Sequence, residues 1–152
     1  MVANGEIPLS GSMMADQNLR LLIAYTRDAD VTNRDWATMV LATQAPDTAE
    51  VRAALLAATE DEDACVRGEA LQGLAERDKA IALPLLRREL MRDECGYATF
   101  QAAGDLRDPS LLDGLRPWAG RGGAPWIDQT IEAAIAGCEA AKPHLRKSAI
   151  GS

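Results

Sequence analysis

Histidine is almost missing from this sequence: its single example, His144, stands among Lys142, Arg146 and Lys147 near the end of the chain. Cysteine is sparse as well, with Cys65, Cys95 and Cys138 and no Cys-x-x-Cys pair. A zinc site of ordinary spacing therefore lacks a ligand set, and neither a Ser-His-Asp nor a Cys-His catalytic set can be assembled. An odd, low cysteine count fits a reducing compartment better than a disulfide framework. No apolar run approaches the roughly 18 residues of a membrane span, and the beginning of the chain lacks a basic region followed by an apolar stretch. The expectation is a cytoplasmic protein with no membrane span, no metal and no cofactor.

Positive charge is also short. Lys and Arg number 16 against 23 Asp and Glu, giving a net charge of -7. Affinity for a phosphate backbone comes largely from Lys and Arg, so a nucleic-acid partner is disfavoured and a basic protein partner is favoured. Aromatic residues make up 4% of the chain, while 47% is hydrophobic and mostly Ala and Leu, which are good helix formers. A chain of 152 residues with this content can bury a core of its own and fits one all-α domain.

Residues 1–13 mix Gly, Pro and Ser without periodicity and read as a flexible leader, 14–141 as the single domain, and 142–152 as a basic tail. In the first part of the domain, Leu19, Leu22, Ile23 and Tyr25 recur at helical spacing and predict an N-terminal capping helix. Two segments then repeat. Asp28, Asp30, Arg34, Ala37, Leu41 and Ala42 return at a constant offset of 33 as Asp61, Asp63, Arg67, Ala70, Leu74 and Ala75. A second series, Leu55, Leu85 and Leu115, advances by 30, with Leu56 matching Leu86 and Arg77-Asp78 matching Arg107-Asp108. Offsets of 30 to 33 with two helices in each unit form the pattern of an α-solenoid, in which each pair buries its apolar side against the next. The sequence thus predicts about three helical hairpins with capping helices at both ends.

The punctuation agrees with this division. The residues from Asp28 to Asp30 and from Asp61 to Asp63 are placed to cap first helices, Asp47 or Thr48, Asp78 and Asp108 to cap second helices, and Pro109 falls just inside the last one. Pro84 lies within the helix expected over 79–91, which should start late or kink there. Gly96 and Gly104 weaken the first helix of the third unit, where the repeated Arg gives way to Thr99 or Phe100. Gly120-Arg121-Gly122-Gly123 is the most flexible internal run. It lacks the Lys-Ser/Thr of a phosphate-binding loop and follows no strand. Residues 126–141, with Ile127, Ile131 and Ile135, should close the stack.

The acidic turn followed by Val66-Arg67 and Ala70-Leu71-Gln72-Gly73-Leu74 resembles the HEAT repeat, particularly the short bacterial, lyase-type HEAT-like form. The run Ala82-Leu83-Pro84-Leu85-Leu86 is similar to its second helix. The resemblance extends over about 28–118, is strongest in 61–90 and weakest in 94–106. It implies a curved superhelix of helical hairpins and carries no shared catalytic residues.

Candidate binding residues fall into three groups. Turns from second to first helices share one edge of such a stack, so Asp61, Glu62 and Asp63 join Asp28, Asp30, Glu60, Asp93 and Glu94 in an acidic stripe, suited to a basic partner, to a loosely held divalent cation or simply to helix capping. Trp36 occupies the position of Glu69 in the sister repeat, a water-facing phase where an aromatic implies contact with the capping helix or a partner. Arg88 and Trp118 are related by the offset of 30 and share a helical phase, with Arg87, Arg92 and Arg121 nearby. This sets cations beside an indole on the partner-facing side or forms a stacked pair shielding the core. Arg34 and Arg67, which follow Asp30 and Asp63 at i+4, read as structural links between neighbouring units. The expectation is a non-catalytic, monomeric protein-interaction module, an immunity-like or regulatory adaptor. The alternatives are a HEAT-like enzyme of the chromophore-lyase or base-excision type and a module that self-assembles through its stack ends.

Overall fold

Helix termination signals divide the chain as the repeats require. A computed structural model describes Leu9 and residues 11–143. Among the described residues there are eight α-helices and no strand: α1 Met13–Tyr25, α2 Val31–Gln44, α3 Ala49–Ala58, α4 Ala64–Arg77, α5 Lys79–Leu90, α6 Tyr97–Leu106, α7 Leu112–Leu115 and α8 Pro125–Ala140. Most of the leader and the tail residues His144, Arg146 and Lys147 lie outside the described residues.

The caps keep the two spacings of the sequence. The first helices α2, α4 and α6 follow Asp30, Asp63 and Gly96, which preserve the offset of 33. Asp30 accepts from the amide of Thr32, and Asp63 from those of Cys65 and Val66. The second series starts after Thr48, Asp78 and Asp108, which preserve the offset of 30, and each side chain accepts from an amide in the turn it opens. A carboxylate or hydroxyl oxygen there satisfies amides that have no partner within the helix.

The packing follows the same division. α2 lies on α4, α4 on α6 and α6 on α8, while α3 and α5 pack against α4, and α7 against α5 and α8. The core runs between the two sets and contains Leu41, Leu55, Leu71, Leu74, Leu86, Leu111, Leu115 and Ile131, all fully buried. Burying each such side chain contributes about 1.5–3 kcal/mol, so every interhelix contact in the series is substantial.

α1 carries a likeness that the sequence pattern did not reveal. Thr26, which ends it, donates its hydroxyl to the carbonyl of Ile23 at 2.6 Å. Thr59, its counterpart at the offset of 33, ends α3 with the same 2.6 Å bond to the carbonyl of Leu56. α1 therefore terminates as a second helix does.

Three expectations change in detail. Helix α5 begins at Lys79, directly after its Asp78 cap, and continues past Pro84 to Leu90, so its start is not delayed. Ala82, Leu86 and Leu90 anchor it in the core on both sides of the proline. Leu56 is 38% exposed although Leu86 is fully buried, because the core-facing phase of α3 is set by Val51 and Leu55. In the third unit the segment after Asp108 divides into a 3-10 turn Pro109–Leu111, the short α7 and a second 3-10 turn Arg116–Trp118. Pro117 lacks the amide that would continue α7, and Gly114 lies so close to α5 that a Cβ there would meet that of Leu90 at 2.9 Å.

Close approach also explains two further glycines. A Cβ at Gly96 would stand 2.6 Å from the carbonyl oxygen of Ala64, and one at Gly73 would stand 2.7 Å from the Cβ of Ala42. Gly104 has room, its nearest neighbour being Ala134 at 3.6 Å. Gly73→Ala should therefore cost about 1–3 kcal/mol through overpacking. Gly104→Ala, also inside a helix, should gain about 0.5–1 kcal/mol. Urea unfolding of the two variants checks the opposite signs.

Candidate partner-binding surface

Two arginines lace the turns together. Arg34 donates from Nε to Asp61 at 2.9 Å and from Nη1 to the carbonyls of Asp28 and Ala29. Arg67, one unit later, donates from Nη1 to the carbonyls of Asp61 and Glu62, from Nη2 to that of Glu94, and from Nε to Glu89 at 2.9 Å. The Arg67 and Glu89 side chains are 5% and 3% exposed. Arg92 adds a second cation to Glu89 at 3.0 Å. The guanidinium fork suits this work because its five fixed donors reach carbonyls and a carboxylate at once.

The predicted acidic stripe is largely engaged by this ladder. Asp61 is paired with Arg34 and accepts from the amide of Asp63, and Asp63 caps α4. Glu62 keeps its carboxylate in solvent, 90% exposed and 3.6 Å from Arg34.

The ladder changes at the third unit. Phe100 follows Arg67 at the unbroken offset of 33, so the ambiguity between Thr99 and Phe100 resolves without a gap. Phe100 is buried and meets Trp118 edge-on, with ring centroids 5.4 Å apart. The Trp118 indole donates to the carbonyl of Leu90 at 2.9 Å, and the Arg121 guanidinium lies over its ring at 6.0 Å. An aromatic lock replaces the arginine, and a groove of about 300 Å³ opens beside it, lined in part by Met91, Arg92, Asp93, Asp113, Trp118 and Arg121. A neighbouring cleft of about 510 Å³ shares Met91, Arg92 and Asp93 and reaches Arg67 and Glu94. Met91, at their shared border, is 77% exposed.

The predicted residues separate into distinct places. Trp118 and Arg121 meet at the groove. Arg88 is not the cation over Trp118; it pairs with Glu60 of the preceding turn, and both side chains are more than half exposed. Arg87 donates to the Ser110 hydroxyl at 2.9 Å in the following unit. Trp36 lies on α2, 44% exposed, away from the groove along the series of first helices. Met91 and Asp113 of the groove, and Phe100 behind Trp118, were missed as site residues, whereas the sequence groups Arg92 with Arg87 and Arg121. The available signal was the replacement of a repeated arginine by an aromatic at the offset of 33.

Between α2 and α4 the electrostatics are unfavourable. One Asp35 oxygen is shut off from solvent without a hydrogen-bond partner. Burial first, and the charge of Asp63 second, push the Asp35 carboxyl above its ordinary range. Burial and Asp35 do the same to Glu69. Burial followed by Asp63 also raises the Cys65 thiol, and burial pushes Cys95 up to about 12, so neither is a ready thiolate. All three cysteines are free.

No protein-family model and no curated protein matches the chain. Among solved structures it is similar to the Escherichia coli protein YibA, with a TM-score of 0.60 and 23% sequence identity over 89% of this chain. The chain spans about half, 52%, of the length of that protein. The likeness shows a shared helical fold. No helix among the described residues is long and apolar enough to cross a membrane.

Two measurements probe the electrostatics. Arg67→Met leaves the buried Glu89 with Arg92 as its remaining cation and the carbonyls of Asp61, Glu62 and Glu94 without Arg67, and should cost about 3 kcal/mol, whereas Arg67→Met with Glu89→Leu should recover part of it; thermal or urea unfolding distinguishes the two. Asp35 and Glu69 titrate higher folded than unfolded, so their ionisation opposes folding. That opposition is absent below the unfolded carboxylate value of about 4 and complete above the raised folded values. Asp35→Asn should accordingly raise the melting temperature at neutral pH, and the gain should disappear as pH falls toward about 4.

Proposed function

We propose that this chain is a HEAT-like α-solenoid that serves as a non-catalytic protein-interaction module, holding a basic partner protein at the groove beside Met91 and Trp118. The observation that carries the reading is the exposed Met91 at the shared border of two clefts, with the Trp118 indole in the wall of one of them. Trp118, held edge-on by Phe100 and tied to the carbonyl of Leu90, walls one side of a groove that continues into the cleft bordered by Arg67, with the exposed Met91 between them. Met91 and Trp118 supply an adaptable apolar anchor of the kind that dominates interface energetics. Asp93, Glu94 and Asp113 alternate there with Arg92 and Arg121, so the lining itself is mixed in charge and the preference for a basic partner rests on the chain's net charge of -7.

The HEAT assignment draws on the spacings of 33 and 30 and on the arginine ladder. An adaptor or immunity-like role and a cytoplasmic location are part of the same proposal.

Cross-linking in the native host, with Met91→Glu as the paired bait, tests the proposal. Met91 is exposed, so the variant should keep its fold and melting temperature while losing about 10- to 100-fold in affinity for the protein captured by the unaltered chain. Binding should weaken with salt. Identical capture by both baits, or micromolar affinity for duplex DNA at low salt, would remove this reading.

A further inference from the structure

Arg107 keeps its place in the repeat but not its work. Its counterpart at the offset of 30, Arg77, donates to three carbonyls at the end of α2 and to one in its own helix. The Arg107 side chain makes no hydrogen bond or ion pair with any described residue. The difference begins in the backbone. α6 has 10 residues against 14 in α4, so the chain must leave its helix about a turn earlier to reach the cap at Asp108. It does so at Arg107, whose φ of 50 makes it the one non-glycine residue with a left-handed backbone among the described residues. Glycine or asparagine ordinarily takes such a position, because a Cβ is strained there. No bond of the Arg107 side chain within the fold offsets that strain.

The side chain lies along α8 instead, with Nε 3.4 Å from the place where a Cβ of Gly137 would stand. There it lines a cleft of about 370 Å³ between α4, α6 and α8, where Gly104, Ala133 and Ala134 leave room. Asp105 lines the same cleft, and Gln72 of α4 and Gln101 of α6 each bring a carboxamide to it. None of these three side chains has a hydrogen bond or ion pair to another described residue. Asp105 and Arg107, two positions apart, are not paired with each other. One cation, one anion and two amides therefore border a single space with their bonding capacity unused.

We propose that this cleft binds a zwitterionic amino acid, its carboxylate on the Arg107 guanidinium and its ammonium at Asp105, with Gln72 and Gln101 meeting a polar side chain. The charge balance selects that class. A phosphate would bring a second negative charge toward Asp105, whereas a zwitterion satisfies both poles at once. The guanidinium fork suits a carboxylate, which it can hold through two parallel bonds. The volume stands near the small end of the roughly 300–1,000 Å³ range of ligand clefts and suits a molecule of that size rather than a nucleotide. This cleft shares no lining residue with the two clefts beside Met91, so the two proposals fail independently.

Thermal unfolding of the full chain with each standard amino acid at millimolar concentration, followed by calorimetric titration of those that stabilise, tests the site. At least one amino acid with a polar side chain should raise the melting temperature. Asp105→Asn and Arg107→Gly should each weaken its binding by about tenfold or more, and the N-acetylated and decarboxylated forms of the same amino acid should lose as much. Because glycine suits the left-handed backbone, Arg107→Gly should leave the unliganded melting temperature no lower, which separates a binding role from a structural one. Absence of stabilisation by every amino acid overturns the proposal, as does binding indifferent to both substitutions or equal binding of inorganic phosphate. A marked loss of stability in unliganded Arg107→Gly also overturns it, giving the side chain a structural post like that of Arg77.

Discussion

The hydrogen-bonding fork of Arg67 holds the middle of this molecule together. It joins the carbonyls of the turn before α4, the carbonyl of Glu94 in the next turn and the buried Glu89 of α5. A charge so deep is stable only while its partners remain, since an uncompensated buried ion costs several kcal/mol. The requirement fixes the distance between successive turns and therefore where α6 begins. Gly96 meets that distance with a backbone contact no side chain could share. In the next unit the rule ends, because Phe100 can fill volume and seat Trp118 but cannot bridge carbonyls.

Much of the fold was legible in the residues. Aspartates at fixed offsets announced the caps, and leucine spacing announced helices that the structure contains. The earliest member of the series was harder to see. α1 shares with α3 a terminal threonine bond, but Leu21 and Tyr25 stand where α3 has Ala54 and Ala58, which hides the likeness in a comparison of side chains. The break after Asp108 was also obscure, because its cause is the approach of Gly114 to Leu90, a contact between residues far apart in sequence.

The site was only partly legible for a related reason. Helical phase correctly groups residues on one helix, but a long cation chooses its partner by reach. Arg88 finds Glu60 and Arg87 finds Ser110, in opposite directions along the series of units, while Trp118 is served by Arg121 from the glycine-rich loop. Glu60 and Ser110 look unremarkable in sequence, and only the juxtaposition of neighbouring turns reveals their part.

Arg77 carries a different consequence. Its guanidinium donates to the carbonyls of Leu41, Ala42 and Ala45, finishing the end of α2 with a side chain from α4. Those acceptors are backbone, so the bond survives any change in the side chains of α2, but it disappears if α4 melts. The end of one helix is thus written into the sequence of the next unit. The smallest piece able to unfold as a whole is therefore out of step with the repeat, straddling the boundary that the sequence draws between units.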